Sequence, residues 1–162
     1  MQLKDVMTRM VEITRPDAML RDAASKMRLL DIGPLPVCDG ARVVGILTDR
    51  DITIRATAEG LDPRTTAVAD VMTKDVYFCY EDQDVKDAAK LMSDLQVRRL
   101  LVFDRDSNLA GIVSLGDIVT DTGDETMAGR ILHKVSEPDS VPLRPSLHDG
   151  SMKSRLGGGV QG

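Results

Sequence analysis

Two short stretches of this chain carry a hydroxyl, two spacer residues and a carboxylate: Thr48-Asp49-Arg50-Asp51 and Ser114-Leu115-Gly116-Asp117. A hydroxyl donates and accepts hydrogen bonds, whereas an ionised carboxylate only accepts. Asp51 and Asp117 therefore suit the vicinal hydroxyls of a ribose, each of which offers a hydrogen, as an acidic residue does in dinucleotide folds. The same spacing is a helix-capping box, in which hydroxyl and carboxylate satisfy backbone N–H groups. Taken alone, capping is the stronger reading. Recurrence of the motif after a Gly-apolar-apolar strand shifts the balance toward a ligand.

Arg98-Arg99 is the second candidate. Two adjacent guanidiniums at a strand entrance can hold a phosphate in bidentate fashion. A solvated surface pair is the plain alternative. The matching places in the first half are Gly33-Pro34, so a phosphate clamp is asymmetric, with Arg50 as a further contributor. Thr8 and Thr73 open equivalent extended segments and are either turn residues or polar ligand contacts.

Catalytic constellations are not found. His133 and His148 lie outside the repeated regions, and no nucleophile elbow, phosphate-binding loop or zinc spacing occurs. Asp49 and Asp51 at a helix start read as capping residues. The two cysteines, Cys38 and Cys79, sit in hydrophobic runs and read as buried thiols rather than a redox pair. We expect no enzyme activity, no metal and no required cofactor.

The elements that must hold these residues occur twice. Val6-Met7-Thr8 returns as Val71-Met72-Thr73, and Asp22-Ala23-Ala24 as Asp87-Ala88-Ala89. Leu35, Val37 and Asp39 match Leu100, Val102 and Asp104. After one inserted residue, Gly45-Ile46 matches Gly111-Ile112 and Asp51-Ile52 matches Asp117-Ile118.

Each copy starts with an extended segment, at Val11 and Ile13 or at Val76 and Phe78. An amphipathic helix follows, with Leu20, Ala23, Ala24, Met27 and Leu30 on one face, or Val85, Ala88, Ala89, Met92 and Leu95. Two apolar strands come next, over residues 35–38 and 43–47, or 100–103 and 109–113. A closing helix begins near Asp49 or Gly116, the first running to about Ala58.

The expected divisions are residues 1–60 for the first repeat, 61–66 for a linker and 67–122 for the second repeat. Residues 123–136 are expected to add a C-terminal helix, and 137–162, rich in Pro and Gly, a disordered tail. Neither repeat is large enough for a good core alone, so the two pack sheet to sheet with approximate two-fold symmetry.

Composition fits one small α+β unit. Of 162 residues, 42% are apolar and only 2% aromatic, so the core is built from aliphatic residues, Ala and nine Met. Net charge is −5, without the basic footprint of a nucleic-acid binder. No signal core or apolar span appears, and a cytoplasmic location is expected.

Together the paired Asp-Val-Met-Thr openings (Asp5 to Thr8, Asp70 to Thr73), Asp31 to Asp39, Gly45 to Asp51, Gln96 to Asp104 and Gly111 to Ile118 resemble the CBS (cystathionine β-synthase) domain family. The layout is similar to small stand-alone CBS pairs of the mycobacterial hypoxic response type. The resemblance implies an α+β fold of two pseudo-symmetric β-α-β-β-α repeats packed as one module, with two clefts between them. It implies ligands such as AMP, ADP, ATP, NAD or S-adenosylmethionine. Thr48 and Asp51 then serve one cleft and Ser114 and Asp117 the other, while Arg98 and Arg99 face phosphates. Thr8 and Thr73 serve the cleft of the opposite repeat, and Val11, Ile13 and Val76 flank the base.

Leu101 and the uncharged Gly33-Pro34 depart from the pattern, so the second cleft is the better equipped for phosphate. The functional expectation is a regulatory module acting through a homodimer or a separate protein partner, without nucleic acid or membrane. The alternative is an interaction dimer with vestigial, empty pockets.

Overall fold

The computed structural model describes residues 1–137. The chain opens with a single helical turn, α1 (Leu3–Val6), and continues to α2 (Leu20–Leu30). Leu20, Ala23 and Met27 lie buried on one face of α2, as their spacing requires. The helix stops at Asp31, whose φ of 54° places it in the left-handed region. Strands β1 (Pro34–Asp39) and β2 (Arg42–Thr48) then pair antiparallel, with Gly40 supplying a positive φ at the turn.

The second repeat follows the same plan. Helix α4 (Val85–Leu95) is capped by the Asp84 carboxylate, which accepts from the Lys86 backbone N–H at 2.9 Å. It ends at Gln96, again with φ 54°. Strand β3 (Phe78–Tyr80) runs parallel to β4 (Arg99–Phe103), and β4 pairs antiparallel with β5 (Leu109–Ser114). A bulge interrupts the register at Val37/Cys38 and at the equivalent Val102/Phe103, so even the irregularities are duplicated.

The closing helices differ. α5 (Leu115–Thr122) is a regular α-helix ended by Gly123. In the first repeat α3 (Asp49–Asp51) runs directly into wider π-helical turns over Ile52–Thr57. There the N–H groups of Ala58 and Leu61 reach back five residues to the carbonyls of Thr53 and Ala56, each at 3.0 Å. The β-branched run Ile52-Thr53-Ile54 is a weak α-former, which lowers the cost of this winding. The final helix, α6 (Glu125–Ser136), packs on α4 and α5 and buries Ile131.

Two cores result, and each draws on both repeats. The first joins Leu3, Val6 and Met7 of the N-terminus to Val85, Ala88, Met92, Leu100, Val113 and Ile118. The second joins Val68 and Val71, from a 3₁₀ turn (Val68–Asp70), to Leu20, Met27, Leu35, Leu47 and Ala56. Each opening segment thus completes the core of the other repeat.

The expected helices and strands are present, with three differences. The extended segment of the first repeat is reduced to one parallel bridge, Thr14 to Val37, where the second repeat forms β3. Leu30, expected on the core face, is 43% exposed: it is the last residue of α2 and lines a surface cavity rather than the core. The short turns α1 and Val68–Asp70 have no periodicity and were not anticipated. The proposed tail lies outside the described residues, apart from Glu137.

Candidate functional site: a cleft between the repeats

The site begins with a reciprocal crossing. Thr8 and Ile112 exchange backbone hydrogen bonds (N–H to O, 2.9 and 3.0 Å), and Thr73 and Ile46 do the same (2.8 and 2.9 Å). Each opening segment therefore lies across the second strand of the other repeat. The glycine before each isoleucine permits it. A Cβ on Gly111 would stand 2.7 Å from both Met7 Sδ and the Thr8 carbonyl oxygen. A Cβ on Gly45 would stand 2.8 Å from Met72 Sδ and the Thr73 oxygen. The Gly-Ile pair of the repeat is thus a close-approach signal.

Beside the first crossing lies a cavity of about 490 Å³. Its walls include Thr8, Val11 and Glu12 from the opening segment and Asp31, Gly33 and Pro34 from the end of α2 and the start of β1. Arg99, Ile112, Ser114 and Asp117 come from the second repeat. Five residues expected at a ligand site, Thr8, Val11, Arg99, Ser114 and Asp117, meet here.

Ser114 and Asp117 also form a full capping box at the start of α5. The Ser114 N–H donates to Asp117 Oδ2 at 2.7 Å, and the Asp117 N–H donates to Ser114 Oγ at 3.1 Å. Capping and ligand binding are therefore compatible. The box holds the carboxylate in place by one oxygen, and Oδ1 takes no hydrogen bond among the described residues. The Ser114 hydroxyl hydrogen is likewise left to donate.

Charges around the cavity are few. Arg99 is the one cation on its wall, facing Asp31, Asp117 and a Glu12 that pairs with Lys26 at 3.5 Å.

The matching pair in the first repeat is arranged differently. Thr48 and Asp51 form the same box, at 3.0 and 3.1 Å. However, Thr73 donates its hydroxyl to Asp51 at 3.2 Å (Oδ1) and 3.3 Å (Oδ2), and Arg55 Nε stands 3.9 Å from Oδ1. Asp51 is only 5% exposed.

The remaining candidates fall elsewhere. Arg98 and Arg50 are exposed and are not on the wall of the large cavity. Arg98 lies just before β4, and only Arg99, the first residue of that strand, is on the cavity wall. Ile13 is 39% exposed and also off that wall. Val76 lines a separate hollow of about 330 Å³ with Phe78, Tyr80 and Phe103.

Residues missed from the sequence are Glu12, Asp31 and Arg55. Asp31 carried a signal, since it ends a helix without a glycine.

Cys38 and Cys79 are buried free thiols, and burial raises the pKa of both, with Asp87 adding to the rise at Cys79. No group of metal-binding side chains and no helix long and apolar enough to cross a membrane occurs among the described residues.

Two equivalent α/β repeats, crossed openings and a cleft between the repeats define a tandem two-repeat module. The CBS domain family model matches residues 3–56 and 68–121, and the chain belongs to that family. It is 37% identical over 134 residues to the CBS domain-containing protein YhcV of Bacillus subtilis, covering 83% of this chain and 94% of the relative. It is 37% identical over 116 residues to hypoxic response protein 1 of Mycobacterium tuberculosis, covering 71% and 80%.

A crystal structure of Hypoxic Response Protein I, described with two coordinated zinc ions, superposes with a TM-score of 0.66 at 36% identity over 74% of this chain and 98% of the other. The CBS pair of MJ0100, in complex with 5-methylthioadenosine and S-adenosyl-L-methionine, gives 0.67 at 26% identity, over 77% and 98%. CBSX2 in complex with AMP gives 0.64 at 26% identity, again over 77% and 98%.

Proposed function

We propose that this protein is a regulatory module that binds an adenosine-bearing small molecule in the cleft of Thr8, Val11, Arg99, Ser114 and Asp117. The observation that carries the reading is the free Oδ1 of Asp117, held at the wall of a 490 Å³ cavity beside the Ser114 hydroxyl and Arg99. That grouping suits a ribose at the capping box, one anionic group at Arg99, and a base against Val11. The adenosyl ligands of the MJ0100 and CBSX2 complexes support it.

One guanidinium against several carboxylates favours ligands with at most one phosphate, or a cationic sulfonium, over ATP. Binding bridges the repeats and favours one packing of them, which a homodimer or partner protein then reads. The cleft is assigned binding, not catalysis.

Thermal unfolding with AMP, ADP, ATP, NAD, NADH and S-adenosylmethionine tests this. A ligand at 100 times its Kd adds about 2.7 kcal/mol, which raises Tm by roughly 5–10 °C at this size. The expected result is a rise with AMP or S-adenosylmethionine that exceeds the rise with ATP and disappears in Asp117→Ala. No rise with any of them at millimolar concentration overturns the reading and favours an interaction dimer with empty pockets.

A further inference from the structure

The two hydroxyl-carboxylate boxes of this chain are equivalent in backbone but not in what surrounds them. One helical turn beyond the carboxylate stands Arg55 in the first repeat and Asp121 in the second. Arg55 Nη1 donates to the carbonyls of Val71 at 3.2 Å and Met72 at 3.0 Å, while its Nε faces Asp51. The next residue along, Thr73, donates its hydroxyl to the same carboxylate. The guanidinium therefore ties the closing helix of one repeat to the opening segment of the other, directly over the carboxylate that a ribose would need.

Both oxygens of Asp51 already have a protein donor, one from the Thr48 N–H and one from Thr73. In the second repeat Asp121 is exposed and has no N–H with which to hold the corresponding carbonyls of Val6 and Met7. Thr8 makes no side-chain bond to Asp117, and that carboxylate keeps Oδ1 open.

The geometry points to Arg55 as a latch that closes the Thr48–Asp51 cleft, so that the chain offers one ligand site rather than two. The residue one turn after each capping-box aspartate decides which cleft is open. One of the two bonds is partly buried and the other exposed, and charge-assisted bonds are among the stronger ones available to a side chain. A ligand that must break two of them loses roughly a hundredfold in affinity. This inference rests on the ligand-binding reading for its titration, but not for the latch itself.

The test uses full-length protein and isothermal titration with whichever panel ligand raises Tm most. Wild type is expected to bind one equivalent, Arg55→Asp two, and Asp121→Arg one to none, weakened at least tenfold (about one charge-assisted bond). Two equivalents in wild type, or one in a cooperatively unfolding Arg55→Asp, overturns the latch. Thr73→Val provides a second way to free Asp51 should Arg55→Asp fail to fold.

A ligand-free arm keeps the two readings separate. In a thermal cycle of Arg55→Ala and Thr73→Val, the double variant should lose less Tm than the sum of the singles, because both act on Asp51. Additive losses overturn the latch. Absence of any ligand response in wild type overturns the functional reading alone, and the cycle then decides the latch.

Discussion

Ser114 and Asp117 start a helix, and under the proposed function the same two residues offer a ligand the atoms left over. Capping and ribose binding look like rival readings in a sequence, because spacing alone does not show that a carboxylate has two oxygens to spend separately. Gly45 and Gly111 have ordinary negative-φ backbone, and their need is space. Gly111→Ala should cost about 1–3 kcal/mol through overpacking against Met7 and the Thr8 backbone, seen as a Tm loss of roughly 2–12 °C. A Tm unchanged within a degree would mean that the opening segment yields freely. The buried thiols give another residue-scale expectation. Burial raises their pKa and keeps them protonated and covered, so iodoacetamide at neutral pH should label neither Cys38 nor Cys79 until the protein unfolds. Mass spectrometry of the folded protein after alkylation decides it.

Among the elements, those with strong periodicity were legible and those defined by tertiary contact were not. Helices α2 and α4 announce themselves through Leu20, Ala23 and Met27 and through Val85, Ala88 and Met92. The single turn α1 cannot, because four residues show no period, and its Leu3 and Val6 are buried only against a partner some eighty residues away. The π-helical stretch after α3 was read as an ordinary helix, since a one-residue change in hydrogen-bond reach leaves the same residues helical. Helix α6 falls within residues 123–136, where a C-terminal helix is expected. Ile131 is buried and Leu132 is 53% exposed, because one residue step turns the side chain by about 100° around the helix. Ile131→Ala should cost about 2–4 kcal/mol, while Leu132→Ala should change stability by less than about 0.5 kcal/mol. Urea unfolding of the two variants compares them directly, and equal losses would place α6 in a different rotation on α4 and α5.

At the scale of the whole molecule, the doubling is visible from the offset between Val6-Met7-Thr8 and Val71-Met72-Thr73, whereas the crossing of the openings is implied only by the family resemblance. The repeat pattern says that two units exist and nothing about which unit each opening joins. The pairing of Thr8 with Ile112 and of Thr73 with Ile46 supplies that. Residues 1–66 expressed alone should therefore lack Val68 and Val71 from their core and show no cooperative unfolding by circular dichroism, and a sharp transition in that fragment would contradict the shared-core description. The crossing also orders events during synthesis. Leu3 to Thr8 leave the ribosome well before Leu109–Ser114, the strand they cross, so this segment waits unpaired while the second repeat is made. That opening segment is then open to chaperones until its partner strand is made, and its pairing with Ile112 completes one wall of the candidate cleft.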